Sequence, residues 1–237
     1  IETVASGVSR LNYPMIDGVV KGCPHHILEP QRTNSFPYSN SFTNWSVNNG
    51  ALISSNVIIS PDGTLNADKL SLGTTNITPF ILKNTSVIAT ETYTQTIYAK
   101  SGDADILQIT GSTGFASHFQ NYNLSNGTLG NNNIYGITTN SSIEYVGNGW
   151  YRCIYTTVGG LTTPSGRIVF AIASEGSGRL GGNGLVANTG LYIYGAQLEV
   201  GSHKTSYIPT TTSAVTRSAE TANGSGDAST FNDSEGV

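Results

Sequence analysis

Fifteen carboxylates are spread along this chain, and a pair of them held roughly 5–10 Å apart would suffice to hydrolyse a glycosidic bond. None stands in a recognisable catalytic motif. The chain has no Gly-x-Ser-x-Gly elbow, no His-Glu-x-x-His and no Gly-x-x-x-x-Gly-Lys-Ser/Thr loop. His25 and His26 are adjacent near the start, while His118 and His203 stand singly. Asp62, Asp68, Asp103 and Asp105 lie near turns and have the oxygens that calcium prefers. Turn aspartates also bond their own backbone, which is the plainer assignment for these four. The cysteines, Cys23 and Cys153, could close a very long loop in an oxidising compartment or remain two buried thiols. No Cys-x-x-Cys pair and no His at ligand spacing indicates zinc. The sequence therefore points away from catalysis.

Binding is better served. Sugar rings stack on aromatic faces and bond to amides. Trp45 sits in a turn-rich stretch, and Tyr98, Phe119, Tyr122 and Tyr194 sit on strand-like segments, with Gln197 close behind the last. These six are the candidate glycan contacts, and core packing is the competing role for each. Trp150, in Gly149-Trp150-Tyr151-Arg152, reads as core. Arg and Lys are few and dispersed, so a glycan is expected to be held by neutral aromatics and amides without a charged anchor. Sequons at Asn44, Asn76, Asn126 and Asn223 are what an Asn- and Thr-rich composition produces anyway.

The elements that position these residues are strands. Val57-Ile58-Ile59 runs into Ser60-Pro61-Asp62-Gly63, a turn with Pro and Gly where their backbone preferences suit it. Residues 67–72 alternate apolar and polar with period two. Further strand patterns cover 93–100, 105–110, 116–122, 142–146, 150–157, 167–173 and 191–200, with turns at Asn126-Gly127 and Gly147-Asn148-Gly149. Nowhere does the period shift to 3.6, so two packed antiparallel sheets are expected across residues 35–210, with helix limited to a turn or two.

Composition bounds the rest. Only 11% of residues are charged, while 37% are hydrophobic and 12 are tyrosine, which describes a folding chain whose solubility rests on hydroxyls and amides. A net charge of -4 with scattered cations excludes a nucleic-acid surface, and no apolar run is long enough to be a membrane span. Residues 1–27 read as an N-terminal arm broken by Pro14 and Pro24. Residues 222–237 read as a flexible linker followed by a strand-like lead-in. The chain opens with Ile1-Glu2-Thr3 and lacks a signal-peptide pattern, and is expected to be a mature product or a piece of a longer protein.

An ordered set of short motifs carries a resemblance. It begins with Leu28-Glu29-Pro30-Gln31-Arg32-Thr33-Asn34 and Tyr38-Ser39-Asn40-Ser41-Phe42-Thr43-Asn44-Trp45. It continues through Pro61-Asp62-Gly63, Ala67-Asp68-Lys69-Leu70, Tyr98-Ala99-Lys100-Ser101-Gly102 and Gly149-Trp150-Tyr151-Arg152-Cys153. It closes with Tyr194-Gly195-Ala196-Gln197-Leu198-Glu199, Thr205-Ser206-Tyr207-Ile208-Pro209-Thr210 and Ala214-Val215-Thr216-Arg217. Over residues 28–221 the set resembles a carbohydrate-binding-module-like jelly-roll β-sandwich found in phage and prophage tail-fibre, tail-spike and minor structural proteins. Residues 231–237 are similar to the start of a lectin-like domain of the concanavalin type.

The resemblance implies a non-catalytic module at the virion surface, in an extracellular setting. It implies host-surface glycan or polysaccharide and other virion chains as partners, and a homo-oligomer, a trimer as in phage fibres. No cofactor is expected. A structural calcium remains the alternative, but the last-strand aspartate that related jelly rolls use has no counterpart in Tyr194-Gly195-Ala196-Gln197-Leu198. The rival functions are an accessory binding module of a secreted polysaccharide-degrading enzyme and a purely structural virion scaffold or decoration domain.

Overall fold

The computed structural model describes residues 29–73, 78–133, 140–160 and 165–220, together with the backbone of four short strands between residues 10 and 27. Those four are β1 (Arg10–Asn12), β2 (Met15–Ile16), β3 (Val19–Val20) and β4 (His25–Ile27). They pair among themselves, β1 with β4 and β2 with β3, so this stretch contains ladders where the sequence showed only an arm. Two or three residues per strand are too few to register as alternation. The expected linker and lead-in at 222–237 lie outside the described residues, as does Cys23. Cys153 is a free, buried thiol.

After β5 (Arg32–Asn34) and a single 3-10 turn at Phe42–Asn44 come β6 (Ser46–Asn48), β7 (Ala51–Ile59), β8 (Leu65–Leu72) and β9 (Phe80–Ser86). The middle of the chain supplies β10 (Thr92–Lys100), β11 (Ile106–Thr113), β12 (Phe119–Asn123) and β13 (Thr128–Asn133). The last group is β14 (Asn140–Gly147), β15 (Trp150–Val158), β16 (Ser165–Ile172), β17 (Gly190–Val200) and β18 (Val215–Arg217). Two six-stranded antiparallel sheets result. The first has the order β14-β15-β10-β17-β8-β7 and the second β13-β12-β11-β16-β9-β6.

The chain passes from one sheet to the other between β6 and β7, β8 and β9, β9 and β10, β10 and β11, and β13 and β14, and again on either side of β16. These crossovers make the domain an antiparallel β-sandwich of jelly-roll type, as the alternation and turn spacing require. β13 was not legible as a strand, because Gly130-Asn131-Asn132-Asn133 has little strand propensity and every residue of β13 is exposed. It forms because the edge of β12 offers an unpaired ladder to it.

Alternation explains the core between the sheets. Tyr93, Ile97 and Ala99 of β10, Cys153 and Tyr155 of β15 and Leu198 of β17 meet Leu107 and Ile109 of β11, Tyr122 of β12 and Phe170 of β16. Tyr122 also reaches across the sandwich, its hydroxyl donating to the Ile154 carbonyl at 2.6 Å. Trp45 closes one end, packed against Phe36, Phe42 and Phe170 at ring distances of 5.1, 5.3 and 5.7 Å.

The outward faces are covered as well. Across the first sheet lies the segment 201–217, held at its end by β18 pairing with β5. Asn34 fastens it from below: its amide donates to the carbonyls of Ala196 and Ile208, and its oxygen accepts from the N–H groups of Phe36 and Leu198. Glu199 accepts from the Thr205 N–H and hydroxyl and from the Gln197 amide, while the Gln197 oxygen accepts from the Ile208 N–H. On the second sheet, Gln108 and Asn121 bind the backbone of Ser177, Gly178 and Leu180 in the loop before β17.

Asn34 uses all of its hydrogen-bonding capacity in a fully buried position, so truncation strands backbone groups on both sides of it. Asn34→Ala is expected to cost about 2–4 kcal/mol, read as a lower urea midpoint with an unchanged slope. A loss below about 0.5 kcal/mol would show that the segment 201–217 does not depend on this residue.

Candidate functional site

The structure buries all six side chains singled out as glycan contacts, none being more than 7% exposed. Trp45 is enclosed by three phenylalanines, and its indole N–H donates to the Tyr38 carbonyl at 3.0 Å. Phe119 and Tyr122 lie on β12, buried in the second sheet. Gln197 is spent on Ile208, Glu199 and Ser206. Tyr98 and Tyr194 point outward from the first sheet, as alternation predicts, but Tyr207 of the covering segment closes over them with ring distances of 6.1 and 5.7 Å. Trp45 and Tyr122 belong to the core between the sheets. For Tyr98, Tyr194 and Gln197, alternation sets the face, and the path of residues 201–217 decides whether that face meets water. As placed, none of the six offers a ring face or a free amide to a ligand.

One row further along the same face the cover ends. Strand register aligns Trp150 with Lys100, Lys100 with Tyr192 and Tyr192 with Lys69 across the first sheet. Above this row opens a groove of about 640 Å³, walled by Val57, Ile58, Ile59, Ser60 and Leu65 of the β7–β8 hairpin and by Asn148 of the β14–β15 turn. The hairpin turn is closed by Gly63 donating to Ser60 at 3.0 Å, with Gly63 at φ +86. The opposite turn has Asn148 and Gly149 both at positive φ, which is why this pair forms a two-residue connection. Ile59 and Leu65 are 61% and 62% exposed, an unusual position for two large aliphatics flanking a tight turn.

Polar groups in the groove are few and fixed. The Lys100 ammonium donates to the Asn148 carbonyl at 2.7 Å and the Trp150 indole N–H to the Ile59 carbonyl at 3.2 Å. Tyr192 is half-buried, with the Lys69 ammonium 6.0 Å from its ring centre and Lys69 paired to Asp103 at 2.8 Å. Among the described residues, no carboxylate and no histidine lines the groove.

Behind the floor, Tyr98, Tyr194 and Tyr207 cluster with Trp150 and Ala67. The Tyr194 hydroxyl donates to Asp62 at 2.8 Å, and burial followed by this carboxylate raises the Tyr194 pKa. Partial burial alone would raise Asp62, but donors from Ser60, Thr64, Asn66 and Tyr194 outweigh it and hold its carboxyl well below the usual range. Asp68 is raised by burial, against the lowering effect of the N–H groups of Asn56 and Phe42 that it accepts. Asp103 pairs with Lys69 and Asp105 accepts from Ser101. The four turn aspartates are therefore engaged by protein donors, and among the described residues no group of three or more His, Cys, Asp or Glu could hold a metal.

The groove residues Lys100, Asn148, Tyr192, Ile59 and Leu65 were missed as a site. The available signal was the apolar run on both sides of Ser60-Pro61-Asp62-Gly63, where a solvent-facing turn needs no aliphatics, and Tyr192 two residues from Tyr194 on the same face of β17.

Fold and groove together define an antiparallel jelly-roll sandwich with an open, acid-free groove on one sheet face. No protein-family model matches the chain, and no curated protein matches its sequence. Among solved structures it is similar to the enzymatically active domain of bacteriophage CBA120 tailspike protein 4, at 12% identity and a TM-score of 0.43. The match covers 70% of this chain and 21% of that one, so the chain spans about a fifth of that structure.

Two outcomes check this placement. Tyr122→Ala should lower stability by about 3–5 kcal/mol in chemical denaturation, as removal of a fully buried aromatic does; a near-neutral variant would mean that the ring is not core. Asp62, with its folded-state pKa below the unfolded one, contributes stability that is present above about pH 4 and is lost as the pH falls toward the folded value. Urea midpoints measured from about pH 5 to pH 2 should fall more steeply for the wild type than for Asp62→Asn. Parallel profiles would remove Asp62 from the acid response.

Proposed function

We propose that this chain is a non-catalytic, carbohydrate-binding-module-like domain of a phage virion protein, of tail-fibre or tailspike type, that holds host-surface glycan in the groove between the β7–β8 hairpin and the β14–β15 turn. The observation that carries the binding reading is the lining itself. Tyr192 and the aliphatics Ile59 and Leu65 suit the apolar faces of a sugar ring, while Lys100, Asn148 and Ser60 supply groups for its hydroxyls. The same lining supports a non-catalytic role, since a glycosidase needs two carboxylates at the bond it cuts and the groove has none. The phage assignment rests on the ordered motif set from Leu28 to Arg217.

At the virion surface the domain works as a homotrimer. Each ring contact contributes on the order of 1 kcal/mol, so useful affinity comes from several copies binding one polymer. A scaffold contact with neighbouring virion chains is the second reading, favoured by Leu52, Ile59 and Leu65, each more than half exposed on one hairpin.

The test is a glycan array probed with the native oligomer and with Tyr192→Ala. The variant should lose binding by about fivefold to tenfold, as expected for one aromatic contact, while its melting temperature stays within about 2 °C of wild type. Unchanged array signals would remove Tyr192 from the site. Absence of glycan binding together with loss of assembly in Leu65→Ser would favour the scaffold reading.

A further inference from the structure

In the sequence the cations look dispersed, but the fold gathers two of them. Lys100 and Arg152 stand on the same outward face of the first sheet, because Lys100 pairs with Trp150 and Tyr98 with Arg152 in the β10–β15 ladder. Diagonal neighbours of this kind are about 7–8 Å apart. Neither has a carboxylate partner at ion-pair distance among the described residues. Arg32, Lys69, Lys204 and Arg217, by contrast, are paired with Glu199, Asp103, Glu144 and Glu29.

Arg152 is the more unusual of the two. It is only 5% exposed, yet its guanidinium is met by the Thr96 hydroxyl, the Thr205 carbonyl and the face of Tyr98, and its Nε has no partner. Glu144 stands opposite Arg152 in the β14–β15 ladder but is bound to Lys204 at 3.0 Å, so the Arg152 charge has no carboxylate at ion-pair distance. Lys100 brings a second charge into the groove itself, with one proton directed to the Asn148 carbonyl and the others uncommitted. The hairpin's own carboxylate, Asp62, stays ionised under its donors from Ser60, Thr64, Asn66 and Tyr194, so two cations stand against one carboxylate around the groove floor. In a chain of net charge -4, the groove lining holds the Lys100 ammonium and, among the described residues, no carboxylate.

Resting on the glycan-binding reading above, we propose that the groove selects an anionic saccharide, its acidic group bound by the Lys100 ammonium with Arg152 supplying field from behind. The aliphatic and aromatic walls take the ring while the ammonium takes the charge. Neutral stacking then supplies contact area, and the charge supplies the choice between polymers.

The native protein is tested on an array of uronic-acid, sialic-acid and sulfated polysaccharides. The same polymers are printed after carboxyl reduction or desulfation, beside neutral glycans. The expected result is binding to at least one acidic polymer that falls about tenfold on removal of its acid, falls similarly in Lys100→Met, and weakens steeply as NaCl rises from about 50 to 500 mM. The two removal arms separate carboxylate from sulfate as the source of the charge. Equal binding before and after acid removal would overturn the charge selection and leave glycan binding standing, as would a Lys100→Met variant that binds the acidic polymer like wild type. Binding to no polymer, acidic or neutral, would overturn both.

Discussion

Neutral amides and hydroxyls buried against backbone hold the parts of this domain together, and Asn34 is the clearest instance. Its four hydrogen bonds tie three stretches of backbone, at Phe36, at Ala196 and Leu198 of β17, and at Ile208. A jelly roll of two six-stranded sheets leaves two outward faces, and here each is roofed by irregular chain whose own N–H and C=O groups must be paired. A fully bonded amide does this at little desolvation cost, and Asn34, Gln108, Asn121 and Gln197 are buried in that role. Two charged side chains join them at Thr205, the buried Glu199 and Arg152.

Roofing also determines where anything can bind. Most of the outward face of the first sheet is consumed by the segment 201–217, which spends Tyr98, Tyr194 and Gln197 on internal contacts. Over the buried Trp150 a groove stays open at Lys100 and Tyr192, because there the neighbouring structure is a pair of hairpin turns that stand up from the sheet. The tyrosines behind it stiffen the floor. Asp62 ties the hairpin to Tyr194, so the wall and the floor of the groove are one bonded unit.

Much of the architecture was legible because it depends on period and turn chemistry. Leu70 and Leu72 face the core two residues apart, Ser60-Pro61-Asp62-Gly63 turns where Pro and Gly fit, and Asn148-Gly149 reverses the chain with two positive φ angles. What escaped includes β6, the first part of β7 and the whole of β9, and structure imposed by neighbours. β13 is strand because β12 had an open edge, and the short ladders of β1 to β4 are two or three residues long, beneath what alternation can register.

The candidate site divides in the same way. The sequence by itself placed Tyr98 and Tyr194 on strands, and composition by itself set a chain rich in amides, hydroxyls and tyrosines and poor in charge. Both are local properties, since side-chain direction repeats every two residues and residue type is the sequence. Which outward residues are covered, and which cations become neighbours, are properties of chain segments far apart in sequence. Residue 207 shields residue 98, and Lys100 meets Arg152 through a ladder between strands some fifty positions apart. Burial depends on the path of distant segments and register on the pairing of distant strands, so tertiary structure alone covered Tyr98 and Tyr194 and left a groove at Lys100 and Tyr192.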